Sequence, residues 1–261
     1  MMSANRLVRT GLVVLICLFI MVSAACAQDS LTSKDIVNKW GGSVVQVRMA
    51  AKVSMSYMGE SDSREETSEI TGVMIDPSGL TVVSAMATNP VASLQDLIER
   101  QGISVTFDLT DLKIVLPDGK EIPAKLVLSD KDLDVALIRP TQAVESPLPY
   151  IDLKNSAKLD LLDQVLMISR MGKLANRASV AYLERIQAVV EKPRKFYIIR
   201  ASSMGNVIGS PVFATDGKVL GVLLLRLVPG MLESESNEEP LIPVVVPAED
   251  ILSMLSHLPE N

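Results

Sequence analysis

The chain of 261 residues is long enough for one large domain or two small ones, and with 48% hydrophobic and 21% charged residues it can bury a core. Its 25 basic side chains are outnumbered by 31 acidic ones, a net charge of −6, which argues against nucleic acid as a partner because a phosphate backbone rewards clustered Lys and Arg. One histidine, two cysteines and 3% aromatic residues leave no material for a Cys/His zinc cluster or an aromatic platform for single strands, and neither a metal nor a cofactor is implied.

The first segment reads as a leader. Arg6 and Arg9 precede an apolar run over residues 12–22, too short to span a bilayer comfortably, and Ala25-Cys26-Ala27 supplies the small residues that signal peptidase accepts. This order predicts a signal peptide over residues 1–27, a mature chain starting at Gln28, export to the periplasm or beyond, and no membrane span after cleavage. Lipidation of Cys26 is the competing expectation, but Ser23 stands where a lipobox prefers a branched apolar residue. Cys17 and Cys26 both fall inside the leader, so the expected mature fold rests on its core, without a disulfide.

From Leu31 onward short apolar or alternating runs, broken by turn residues, read as strands. Residues 43–48 alternate, the acidic stretch 60–69 reads as a solvated loop, and 70–75 and 80–85 form a hairpin about Asp76-Pro77-Ser78-Gly79. A short amphipathic helix is expected over 91–101. Strands over 113–116, 121–128 and 135–138 follow, the first two joined by Pro117-Asp118-Gly119. After a break near 141–160 come strands over 164–169, 178–190, 196–201, 211–214, 218–226 and 241–246, with a second acidic loop at 233–239. Ile251, Leu252, Leu255 and Leu258 then fall on one face of a terminal helix over 248–258. Many short strands with a central break imply two barrels or sandwiches. Met49, Met74, Met86 and Met167 fall in strands and read as core fillers. Asp130, Asp132 and Asp134 read as a turn, since Val135 and Thr141 stand where a calcium loop needs glycine and glutamate.

Three segments then become specific. Gly72-Val-Met-Ile-Asp-Pro-Ser-Gly-Leu-Thr-Val-Val-Ser-Ala-Met86 resembles the stretch of trypsin-like proteases of the HtrA (Do) type that leads to the catalytic histidine. The run from Lys113 through Asp130-Lys-Asp-Leu-Asp134-Val-Ala-Leu-Ile138 is similar to the one that delivers the catalytic aspartate, and Asn206-Val-Ile-Gly-Ser-Pro-Val-Phe213 to the nucleophile loop. The resemblance covers about 200 residues, with no PDZ segment following. It implies an all-β fold of two six-stranded antiparallel barrels with a C-terminal helix, the first barrel over 31–140 and the second, with the helix, over 145–258.

The departures decide the expected chemistry. The resemblance places Met86 at the general base, and a thioether cannot take up the nucleophile's proton. With the register fixed by Gly209 and Pro211, Ile208 stands at the nucleophile; shifted by one, Val207 does. Of the triad only Asp134 remains, an aspartate with nothing to orient. The oxyanion hole of the family uses backbone N–H groups of the positions occupied here by Asn206 and Ile208. Losing both base and nucleophile removes on the order of 10⁶ in turnover. Ser84, Ser202 and Ser210 read as structural, His257 as a surface helix residue, and no spacing calls for a dyad with Lys113 or Lys173. The resulting expectation is an inactive homologue that binds an extended peptide or protein partner through main-chain pairing along a strand edge at Leu223, Leu224 and Leu225. A proline at Leu225 is expected to remove one donor there and leave the former triad positions untouched. The alternatives are an active serine endopeptidase with a relocated catalytic set, and a structural envelope component without a ligand cleft.

Overall fold

The computed structural model describes residues 31–100, 102–200, 207–227 and 241–258; the leader expected over 1–27 and the loop expected over 233–239 lie outside them. The first element is a helix where strand was expected. Thr32 accepts the N–H of Asp35 at 3.2 Å, and the Asp35 carboxylate accepts the Thr32 N–H at 3.0 Å. This reciprocal cap starts α1 (Ser33–Trp40) by satisfying donors that the first turn leaves open. Ile36 is buried, and the Trp40 ring stacks on Phe213 at 6.3 Å, which seats α1 on the second half of the molecule.

Twelve strands then close into two antiparallel barrels, as the resemblance implied. The first contains β1 (Val44–Tyr57), β2 (Glu60–Met74), β3 (Thr81–Ser84), β4 (Ser104–Val115), β5 (Glu121–Asp130) and β6 (Val135–Pro140), in the order β1-β2-β3-β6-β5-β4. Between β3 and β4 lie the short α2 (Ala85–Thr88) and α3 (Pro90–Arg100). The second contains β7 (Gln164–Arg170), β8 (Ser179–Val190), β9 (Phe196–Ile199), β10 (Pro211–Ala214), β11 (Val219–Leu227) and β12 (Leu241–Pro247), in the order β10-β11-β12-β9-β8-β7, and α4 (Ala248–Leu255) follows. Ala248, Ile251 and Met254 are the buried face of α4.

One expected loop is a strand. Residues 60–69 form the outer half of β2, in continuous register with β1 from Tyr57↔Glu60 inward. Residues 60–68 are exposed, so solvation was read correctly, but the polar sequence hides the backbone pairing that makes the segment a ladder. β4 likewise begins nine residues before the expected strand at 113, because residues 104–112 pair with β1 and not with β5.

Each barrel has its own core, around Val47, Met74 and Ile114 in the first and Met167, Ile199 and Val212 in the second. Met49, Met74 and Met167 fill these cores as expected. A third apolar cluster joins the barrels, with Val73, Val82 and Leu137 from one meeting Ile168, Phe213 and Val222 from the other. Arg170, 4% exposed, pins this seam: its guanidinium donates to the carbonyls of Val44, Gly41 and Arg177, and its own carbonyl accepts from Gln46 Nε2 at 2.8 Å.

Candidate functional site

β3 is buried throughout and ends at Ser84, whose hydroxyl caps α2 by accepting the Ala87 N–H at 3.0 Å. The next two residues bring Ala85 and Met86 over the turn that precedes β6. In that turn Asp130 Oδ1 accepts the N–H groups of Asp132 and Leu133, so the three alternating aspartates are a turn, and Asp134 adopts a left-handed φ of 55°. Its main-chain carbonyl accepts the Ala85 N–H, its Oδ1 accepts the Met86 N–H at 2.6 Å, and its Oδ2 accepts both the Ser84 hydroxyl at 2.7 Å and the Leu225 N–H at 2.8 Å. The aspartate is therefore not without a task. It ties β3, α2 and the second barrel's β11 together. Burial raises the Asp134 pKa to about 6 against the pull of these donors, because an ionised carboxylate 4% exposed has lost its hydration.

On the second barrel, the loop 207–210 approaches β2. Gly209 has φ +91°, and a Cβ there would stand 2.0 Å from the Thr71 carbonyl oxygen, so only glycine fits. The Gly209 N–H donates to the Leu223 carbonyl, and the Leu223 N–H to the Ser210 carbonyl. Val207 is fully buried and Ile208 is 8% exposed, both within the second barrel's apolar cluster. Ser210 is fully buried and its Oγ has no hydrogen-bond partner among the described residues. Asn206 and Ser202 lie outside the described residues, so the Asn206 half of the oxyanion-hole expectation has no structural counterpart here. His257 is exposed beyond the end of α4.

The strand edge at Leu223, Leu224 and Leu225 needs a correction. β11 pairs with β12 from Gly221 to Leu227 and, on its other side, with β10 only as far as Val222. Leu223 and Leu224 are fully buried, and both main-chain groups of Leu223 are bonded to the 207–210 loop. Backbone groups alternate sides along a strand, so the carbonyl of Leu225 and both groups of Leu227 turn to the side on which, among the described residues, no strand pairs. The open edge is thus Leu225–Leu227, one turn of the pleat later than expected. Because the Leu225 N–H is held by Asp134, a proline at Leu225 does disturb Asp134, contrary to the expectation.

Met86, Asp134 and Leu225 line a depression of about 440 Å³ together with Lys131, Arg194 and Arg226. The three basic residues escaped the sequence reading, since 131 and 194 sit in turns and Arg226 alternates within an apolar strand; only the fold brings them to one place. Among the described residues no cluster of three or more His, Cys, Asp or Glu is placed to hold a metal, and no helix is long and apolar enough to cross a membrane.

Two six-stranded antiparallel barrels whose turns meet at a seam over one buried aspartate define the architecture of the two-barrel peptidases. The chain belongs to the trypsin-like peptidase domain family, whose profile matches residues 70–222, more than half of the sequence. That span contains Met86, Asp134 and Ile208 and ends just before the open edge of β11. No curated protein matches the sequence.

Proposed function

We propose that this protein is an exported, HtrA (Do)-type member of the family that has no peptidase chemistry and binds an extended peptide or protein segment in the depression beside Asp134. The bonding of Asp134 carries this reading. Both carboxylate oxygens are engaged by Met86 N–H, Ser84 hydroxyl and Leu225 N–H, so the acid that would orient a base instead holds the cleft's walls in place. Met86 next to it offers no proton acceptor, and the aliphatic Ile208 offers no nucleophile. The open edge at Leu225–Leu227 supports peptide pairing by strand addition, which needs no triad.

A relocated catalytic set finds little support: Ser210 Oγ is sealed from solvent, and Lys113 is engaged by Asp111 at 3.2 Å and Glu121 at 3.7 Å. The test is exposure of the purified mature protein to a fluorophosphonate probe and to casein, beside an active relative. Neither labelling nor turnover is expected. Labelling of any serine, or turnover that vanishes in Ser210→Ala, would return the protein to the enzymes. Mass spectrometry of the secreted form tests export: a terminus at Gln28 is expected, and an intact leader or a diacylglyceryl group on Cys26 refutes it.

A further inference from the structure

The depression has a chemical bias that the family resemblance does not supply. The chain carries six more acids than bases, yet this depression gathers Lys131, Arg194 and Arg226 against Asp132 and Asp134. Lys131 is spoken for, its Nζ donating to the Ala92 carbonyl at 2.7 Å. Neither arginine has a carboxylate within salt-bridge distance among the described residues, although Arg194 also draws on the Asp250 carboxyl of α4 across a longer gap. Arg226 lies over the Phe196 ring, 5.0 Å from its centroid. That contact holds the planar guanidinium by its apolar face, and a guanidinium held this way keeps its edge donors directed outward; among the described residues no carboxylate is close enough to pair with them. Arg226 belongs to β11 and lies between Leu225 and Leu227, whose backbone forms the open edge, and Arg194 stands on the turn before β9 that borders the same space.

Resting on the peptide-binding reading, we infer that the ligand is an acidic extended peptide, its main chain paired along Leu225–Leu227 and its carboxylates received by Arg194 and Arg226. The two kinds of group serve different ends. Main-chain pairing accepts any sequence, while guanidinium forks select carboxylates, which they can bind through two parallel hydrogen bonds.

The probe is a fluorescein-labelled dodecapeptide, (Ala-Val-Thr-Glu)₃, with its Glu→Gln and Glu→Lys counterparts, read by fluorescence anisotropy against the full mature protein. The Glu peptide is expected to bind about tenfold more tightly than the Gln peptide, the Lys peptide most weakly, and the preference to shrink in 0.5 M salt as the charges are screened. Arg194→Met and Arg226→Met are each expected to weaken the Glu peptide by about fivefold and to leave the Gln peptide unchanged, since methionine keeps the apolar stem and the packing on Phe196. If all three peptides bind alike, or the preference survives both substitutions, the acidic assignment is wrong while peptide binding stands. If none binds, the peptide-binding reading itself falls and the acidic assignment with it. A thymidine dodecamer that competes as well as the Glu peptide overturns the assignment to carboxylates.

Discussion

Asp134 is buried at the seam with its carboxyl pKa pushed up, and its titration is expected to appear as a stability effect. In the unfolded chain its carboxyl has the ordinary value of 3.8, and burial raises it to about 6 in the folded protein. Between those values the folded state holds a proton that the unfolded state has released, so this group's contribution to stability is fully present below about pH 4 and is lost as pH rises through 6. A separation of about 2 pH units at about 1.4 kcal/mol each corresponds to roughly 3 kcal/mol. For a chain of this size that is about 6–12 °C in melting temperature. The measurement is thermal unfolding of the wild type and of Asp134→Asn from pH 4 to pH 7.5. The asparagine keeps an acceptor for Met86 N–H, keeps the size of the side chain and does not titrate. Other carboxylates contribute equally to both proteins, so the difference between the two curves isolates residue 134. It is expected to move in favour of the variant by about 2 kcal/mol between pH 4 and pH 6.5, the part of the roughly 3 kcal/mol that falls inside this window, on top of a constant offset for the donors that an amide nitrogen cannot satisfy. Parallel curves would mean that the Ser84, Met86 and Leu225 donors cancel the cost of burial, and a difference of the opposite sign would mean that they exceed it. Either result refutes the reasoning.

Three further substitutions test the scaffold, each by urea denaturation. Gly209→Ala sets a methyl against the Thr71 carbonyl at a positive φ and is expected to cost at least about 3 kcal/mol; an unchanged midpoint would show that the 207–210 loop does not pack on β2 as described. Arg170→Met strips two buried carbonyls and one half-buried carbonyl of their donor and is expected to cost about 3 kcal/mol, with Arg170→Lys restoring only a fraction because a single ammonium cannot reach Val44, Gly41 and Arg177 together. Full recovery with lysine would contradict the three-way clamp. Thr32→Ala removes the side-chain acceptor of the α1 cap and is expected to cost about 1 kcal/mol, and no measurable change would mean that α1 contributes nothing to the cooperative unit.

The barrels were legible because strands 164–169 and 211–214, among others, are short apolar runs bounded by turn chemistry, and because the ladder around Asp76-Pro77-Ser78-Gly79 closes on local signals alone. What escaped obeys a different physics. The start of α1 was written in Thr32-x-x-Asp35, a capping box, but the segment has a single fully buried residue, Ile36, and apolar periodicity passes over so short a helix. The outer half of β2 carries no apolar alternation because neither face meets a core, so only its pairing with β1 makes it a strand. A polar sequence reports hydration. It does not report where the backbone hydrogen bonds go.

The site divides along the same line. Met86, Asp134 and Ile208 were singled out by local motifs, and the close approach of Gly209 to the Thr71 carbonyl gives the physical reason for the glycine that anchors one of the two registers. The bonds that give Asp134 its work come from Ser84, 50 residues away, and Leu225, 91 residues away, and no spacing along the chain announces a contact over such distances. The bonds of Leu223 to the 207–210 loop move the open edge of β11 to Leu225–Leu227, and the Asp134 bond takes the Leu225 N–H out of it, since a donor already held by a buried carboxylate is not available for pairing. Asp134 thus shapes the depression through contacts far apart in sequence: it holds β3, α2 and β11 together and fixes which main-chain groups of β11 stay bonded within the fold.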